Sequence, residues 1–247
     1  MNSQPDVIDD LQAEQEQLEG VLAGLSPGDW LAPSAAAGWT VADVVLHLAQ
    51  TEEAVSMTCG GTGMVDWRRY GGTVDDAMAA MVHAEQAEPA VVFERWRAAR
   101  RAAVQALRDS DPQRQVRWVT TSLKPRTLAT TRLAEHWAHA LDVTVPLGID
   151  YPDTVRLRHI AWLGHSTLPY AFHLAGLPAV AVYCDLTAPD GSSWRYGDPA
   201  AGSVITGDAG AFCRVGAQRL APEASGLRTR GPHAAEALRL LRNYADV

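Results

Sequence analysis

The sequence predicts two domains of different class: an all-α four-helix bundle over residues 1–150 and a small α+β domain over residues 151–247. Long segments of the first part carry apolar residues at helical spacing, whereas valine-rich runs and turn sequences typical of strands follow Gly148. A chain of 247 residues suffices for one large or two small domains. The change of pattern therefore places a boundary near residue 150.

Four long helices account for the first domain, and a shorter one precedes the third. Thr40 and Asp43 form a start signal close to a capping box, and Gly148 is a typical helix end. The connections are compatible with an antiparallel four-helix bundle. The long helices are expected at residues 7–25, 40–57, 89–108 and 127–147, and the short one at 74–86.

The second domain mixes helices with short strands. Asp153 and Asp208 are predicted to cap helices that end near Leu174 and Gln218, and Pro232 lies in the first turn of a last helix. The first two strands flank a turn sequence and are expected to form a hairpin. Strands are predicted at residues 179–186, 194–196 and 204–207.

Composition excludes several classes of protein. A formal net charge of -8 without a basic stripe argues against nucleic-acid binding, and no apolar run approaches the ~20 residues of a membrane helix. The polar start at residues 1–6 does not resemble a signal peptide, and the widely spaced cysteines do not form a disulfide framework. A cytoplasmic protein is therefore expected. The cysteines are Cys59, Cys184 and Cys213.

A set of candidate metal ligands lies in the predicted bundle. Glu135 and His139 are four residues apart on the fourth long helix and project from one face. His47 interrupts an apolar helix and is the obvious third donor. Two imidazoles and a carboxylate favour Zn²⁺, with nickel, iron and manganese as alternatives. Three protein ligands leave positions open for water or substrate, as in catalytic sites.

Simpler interpretations stay open for each residue taken singly. His47 alone is more often a buried, hydrogen-bonded histidine, and Glu135 with His139 could be an ordinary helical pair. His136 points about 100° away from Glu135 and is set aside as a ligand. Asp142 is expected to orient a histidine or to make an interdomain contact instead of binding the metal.

Two segments, residues 38–48 and 132–142, resemble the DinB-like superfamily, and most closely its actinobacterial branch that includes mycothiol-dependent maleylpyruvate isomerase. Residues 188–219 are similar to the small C-terminal domain of that branch. The resemblance implies a DinB-like antiparallel four-helix bundle that holds a metal, followed by an α+β domain. It also implies that the metal is held by His47, Glu135 and His139, and that Arg219 faces the metal.

The resemblance further implies a low-molecular-weight thiol, such as mycothiol, whose sulfur binds the divalent metal. We therefore predict a metal-dependent enzyme acting on a small molecule, a thiol-dependent isomerase or thiol transferase, with Arg219 anchoring a substrate carboxylate. A hydrolase, lyase or cyclase that uses metal-bound water or a polarised carbonyl is one alternative. A non-catalytic metal-binding or stress-response protein is another. Bundles of this kind often form homodimers, but no motif specifies an interface.

Overall fold

A computed structural model describes residues 6–63, 66–119 and 121–243. Internal contacts divide the chain into two units, the first ending at Tyr151 and the second beginning at Pro152. Most of the segment considered for a signal peptide, residues 1–5, lies outside the described residues. Among the helices that are described, none combines the length and apolar character needed to cross a membrane.

The first unit contains the predicted helices, and its core is formed by the four long ones. Its helices are α1 (Val7–Ala23), α2 (Pro27–Leu31), α3 (Val41–Gly60), α4 (Val74–Ala84), α5 (Pro89–Asp109) and α6 (Pro125–Thr144). α1 and α3 each pack against both α5 and α6. The predicted four-helix bundle is therefore confirmed, with leucine, valine and tryptophan side chains filling its centre.

Local sequence explains where these helices begin. Thr40 and Asp43 form the capping box expected for α3, each side chain accepting a hydrogen bond from the backbone of the other. Ser26 and Asp29 form a second capping box, which starts the short helix α2 outside the predicted helix ranges. Pro125 occupies the first turn of α6, so this helix starts two residues earlier than the predicted start at residue 127.

Between α5 and α6 the chain forms a small antiparallel hairpin of β1 (Val116–Trp118) and β2 (Thr121–Leu123). In this hairpin Val116 is paired with Leu123, and Trp118 with Thr121. The hairpin carries Trp118, whose ring contacts Arg132 of α6.

The second unit has the predicted α+β character. Its elements are α7 (Leu157–Leu174), β3 (Val182–Thr187), β4 (Ser193–Tyr196), β5 (Ser203–Asp208), α8 (Ala209–Gly216), β6 (Arg228–Arg230) and α9 (Ala234–Leu240). The sheet order is β4-β3-β5-β6, with β3 antiparallel to β4 and parallel to β5. The predicted hairpin is thus present, while β6 was missed because its three residues are all exposed and offer no alternation.

Two aspartates expected to cap helices behave differently. Asp208 accepts a hydrogen bond from the Ala211 amide at 2.7 Å and caps α8 as predicted. Asp153 was wrongly predicted as the cap of α7, which begins after Arg156. Its carboxylate instead binds the Arg214 guanidinium through two contacts of 2.6 and 2.9 Å. A bidentate pair with arginine is stronger than a single bond to a backbone amide.

Candidate metal centre

Three potential metal ligands from two helices meet on one side of the bundle. His47 extends from the middle of α3, and Glu135 and His139 extend from consecutive turns of α6. Oε2 of Glu135 lies 3.7 Å from Nε2 of His47 and 3.5 Å from Nε2 of His139. One donor atom from each residue lies within 4.8 Å of the other two. The structure therefore brings together the three residues that the sequence indicated.

The spacing and chemistry of these atoms fit a small divalent cation. Ligand atoms that are ~2.1 Å from a tetrahedral Zn²⁺ are about 3.4 Å apart. The two measured nitrogen–oxygen separations, 3.5 and 3.7 Å, are close to that value. Side-chain exposure rises from 8% at His47 to 12% at His139 and 20% at Glu135, so the set borders solvent on the Glu135 side.

The electrostatic environment shifts the pKa values of His47 and His139 in opposite directions. Burial lowers the pKa of His47, and the neighbouring Glu135 only partly offsets this effect, so the ring is held neutral. Burial would also lower the pKa of His139, but its contacts with Asp142 and Glu135 outweigh burial and raise the pKa. Burial would raise the pKa of Glu135, but His139 and His47 hold it well below its usual range. Glu135 is therefore a carboxylate at neutral pH.

Asp142 makes the contact that was expected of it. Nδ1–H of His139 donates to Oδ2 of Asp142 at 2.9 Å, which directs Nε2 of the same ring towards Glu135. A hydrogen bond of this kind fixes the tautomer of a ligating histidine. Nδ1 of His47, in contrast, is buried without a hydrogen-bond partner among the described residues.

Trp39 lies against both imidazoles. Its ring centroid is 5.2 Å from that of His47 and 6.4 Å from that of His139. Trp39 is half-buried, whereas Trp137 of α6 belongs to the bundle core. One of the two tryptophans therefore borders the candidate ligands.

His136 lies beside the ligand set but its ring nitrogens are already occupied. Nδ1–H donates to the Arg132 carbonyl at 2.9 Å, and Nε2 accepts the indole N–H of Trp96 at 3.3 Å. Burial together with the Arg132 charge holds the pKa of His136 well below its usual range. The ring is neutral and has no lone pair left for a metal, which agrees with setting it aside.

A buried ion pair beneath the candidate ligands was not recognised in the sequence. Nε of Arg132 donates to Oε1 of Glu52 at 2.8 Å, and both side chains are almost inaccessible to solvent. Nη1 of Arg132 is 4.0 Å from Oε2 of Glu135. The position of Arg132 three residues before Glu135 was a usable signal, because residues at that spacing share a helix face. Its partner Glu52 lies 80 residues away in the chain and gave no comparable signal.

Arg219 lies in the second unit, three residues beyond the end of its helix α8. Its backbone amide donates to the Arg214 carbonyl at 2.8 Å, and its Nη1 donates to the Ala217 carbonyl at 2.9 Å. Both of these hydrogen-bond partners of Arg219 belong to the second unit. The role of Arg219 in substrate binding stays a prediction.

Comparison with known proteins identifies relatives of the whole chain. Residues 11–144 match the model of the "Mycothiol maleylpyruvate isomerase N-terminal domain". Uncharacterized proteins from two strains of Mycobacterium tuberculosis are 32% identical over 246 residues, covering 96% of this chain and 95% of each relative. Their source agrees with the actinobacterial resemblance.

Two solved structures share the fold. Crystal structures of mycothiol-dependent maleylpyruvate isomerase and of a histidine-to-alanine mutant of it superpose with TM-scores of 0.62 and 0.61. Each covers 92% of this chain and 95% of its own, at 15% and 12% identity. At this identity the similarity demonstrates the common fold, a helical bundle followed by an α+β region.

Proposed function

Because this chain belongs to the mycothiol maleylpyruvate isomerase N-terminal domain family, we propose that it is a metal-dependent enzyme using a low-molecular-weight thiol, such as mycothiol, on a small molecule. The family match confirms the resemblance noted in the sequence. We assign residues 1–150 to the metal-binding domain and residues 151–247 to a domain that contributes Arg219.

One observation carries the proposal: two imidazole nitrogens and a carboxylate oxygen converge at separations suited to one divalent cation. His47, Glu135 and His139 would hold the ion, and Zn²⁺ suits this donor set best. When bound, Zn²⁺ lowers the pKa of a coordinated thiol towards neutrality and so supplies a nucleophilic sulfur.

The residues of the chain would prepare the site for this chemistry. Asp142 holds His139 in the tautomer that presents Nε2, and burial keeps His47 neutral. Trp39 lies against the two rings and would restrict the approach of water from that side. Addition of a thiolate to an activated carbon–carbon double bond makes that bond single, rotation follows, and elimination of the thiol completes a cis–trans isomerisation.

Metal analysis of the purified protein tests the centre first. We expect about one Zn²⁺ per chain in the wild-type protein and its loss in the double variant His47→Ala/His139→Ala, because one remaining carboxylate cannot hold the ion. The matched control His83→Ala/His173→Ala removes two exposed histidines elsewhere and should keep the metal. Absence of metal from the wild type, or its retention in the first variant, would overturn the centre.

Thiol titration then tests the type of chemistry. In the Co²⁺-substituted protein, mycothiol should produce a sulfur-to-metal charge-transfer band that saturates below millimolar concentration. A protein that binds the metal but shows no such band at millimolar thiol would contradict the thiol-dependent function. That result would favour the alternative of hydrolase, lyase or cyclase chemistry through metal-bound water.

The proposed role of Arg219 has a separate signature. Arginine binds carboxylates through paired hydrogen bonds, so Arg219→Gln should raise KM for a carboxylate substrate and leave zinc content unchanged. Arg195→Gln, which alters an exposed arginine of the same unit, is the control. Equal KM values for Arg219→Gln and wild type would remove Arg219 from the binding site.

A further inference from the structure

Arg132 connects the two helices that carry the candidate ligands. It lies on α6, three residues before Glu135, and its guanidinium reaches two consecutive residues of α3, Thr51 and Glu52. Nε donates to Oε1 of Glu52 at 2.8 Å, and Nη2 donates to Oγ1 of Thr51 at 2.7 Å. The side chain is 2% exposed, so these bonds form where water does not compete.

Thr51 extends this connection to His47. Its hydroxyl donates to the His47 carbonyl at 2.9 Å while its oxygen accepts from Arg132. The guanidinium is thus bonded to a group that is itself bonded to the backbone of one candidate ligand. On the other side, Nη1 of Arg132 faces Oε2 of Glu135 at 4.0 Å, the oxygen that also faces both histidines.

The guanidinium is also fixed in its plane. Its central carbon lies 5.6 Å from the centroid of the Trp118 ring, a distance typical of a cation–π contact. Two hydrogen bonds to α3 and one ring contact leave few orientations for the group. Arginine suits this arrangement because its planar fork donates from several nitrogens at once, whereas lysine offers a single point charge on a flexible stem.

We propose that Arg132, with Glu52 and Thr51, is a positioning clamp that sets the separation between His47 on α3 and Glu135 with His139 on α6. This inference rests on the proposed metal centre. Ligands held at the correct separation lose less conformational freedom when the ion binds, so the clamp raises metal affinity without touching the metal. Glu52 offsets the positive charge of Arg132, so the clamp adds little net repulsion towards a cation.

Zinc affinity, measured by competition with a chromophoric chelator, tests the clamp. Arg132→Lys keeps the charge but not the paired contacts, and should weaken zinc binding roughly 10-fold to 100-fold, the usual cost of losing a partner outside the ligand set. Thr51→Val removes the hydrogen bond between Nη2 of Arg132 and Oγ1 of Thr51 without introducing a new buried charge. This variant should weaken zinc binding several-fold. In the double variant Arg132→Lys/Thr51→Val, the two losses of zinc affinity should not add, because each substitution alone already removes the bond between Arg132 and Thr51.

The control is Arg95→Lys, which breaks a bidentate pair between α5 and Glu53 of α3, with bonds of 2.7 and 2.8 Å, away from the ligands. It should leave zinc affinity unchanged. The Co²⁺ absorption spectrum should shift in Arg132→Lys and stay unchanged in Arg95→Lys, because ligand geometry differs only in the first.

Wild-type zinc affinity in folded Arg132→Lys would overturn the clamp. If that variant does not fold, Thr51→Val decides alone, and unchanged affinity there overturns the clamp as well. Failure of the wild-type protein to bind zinc would instead overturn the metal centre of the proposed function, which separates the two outcomes.

Discussion

Two histidine-centred clusters lie side by side on α6, and both place an imidazole near a glutamate. In the ligand cluster, Nε2 of His139 is 3.5 Å from Oε2 of Glu135. In the interior cluster, Nδ1 of His136 is 3.6 Å from Oε1 of Glu52. Residue types and distances are nearly the same, yet the nitrogens of His136 are taken by Trp96 and a backbone carbonyl.

The difference shows that proximity of histidine to glutamate does not define a metal site. What matters is whether a ring nitrogen that faces the carboxylate is free to offer its lone pair to an ion placed between the two groups. His139 has one because Asp142 occupies its other nitrogen, whereas His136 has none. The ligand cluster also borders solvent, which gives an ion a path of entry, while the interior cluster is closed.

The largest loss of zinc affinity is expected from Glu135→Gln. The amide keeps the size of the side chain but removes the negative charge that the two histidines surround. Zinc affinity should fall by more than the roughly 100-fold loss seen for partners outside a ligand set. Isothermal titration of the metal-free protein measures this loss. Glu53→Gln on α3 is the matched control, and equal affinities of the two variants would place the metal elsewhere.

His136→Leu should have the opposite profile, weakening the fold and leaving zinc binding intact. The indole N–H of Trp96 would lose its acceptor in a fully buried setting, which costs about 1–3 kcal/mol of unfolding free energy. Urea unfolding and zinc analysis measure the two effects. The double variant His136→Leu/Trp96→Phe removes both partners and should recover part of the loss. Loss of zinc from a folded single variant would contradict the distinction between the clusters.

Asp142→Asn should produce a smaller loss of zinc affinity, about 10-fold. The amide can present either its oxygen or its nitrogen to Nδ1 of His139, so the tautomer is no longer fixed. Chelator competition measures the change, and thermal unfolding of the metal-free protein checks that the fold is kept. If Asp142→Asn binds zinc as tightly as the wild type, the hydrogen bond to His139 has no part in presenting Nε2.

The sequence predicted the bundle because helical periodicity and capping signals are local properties. Glu135 and His139 share a helix face by spacing alone, and His47 was conspicuous within an apolar helix. The interior partners were not predictable in this way, because the contacts of Arg132 and Trp96 join residues 80 and 40 positions apart. Such contacts depend on how α3, α5 and α6 pack, which periodicity does not specify.

The second unit shows the same limit. Asp153 satisfied the local pattern of a helix cap, but Arg214 from a distant helix provides a stronger partner. The third predicted strand proved to be parallel to the first, because its pairing is set by the intervening chain and not by its own sequence. Capping by Asp208 was predicted correctly, since its acceptor and donor are three residues apart.

The smallest expected effect concerns Trp39, which touches the ligand cluster without belonging to it. Its ring lies against both His47 and His139, so zinc binding should change its fluorescence. The chain has eight tryptophans, so the source of the fluorescence change must be identified by substitution. Because Trp39 lies against both histidines, Trp39→Phe should remove most of the zinc-induced change. Zinc affinity should change by less than about twofold, since phenylalanine keeps an aromatic ring at this position. Trp162→Phe, which alters an exposed ring of the second unit, should keep the change. A full zinc response in Trp39→Phe would mean that the ion binds away from these rings, and the comparison of the two clusters would then lose its basis.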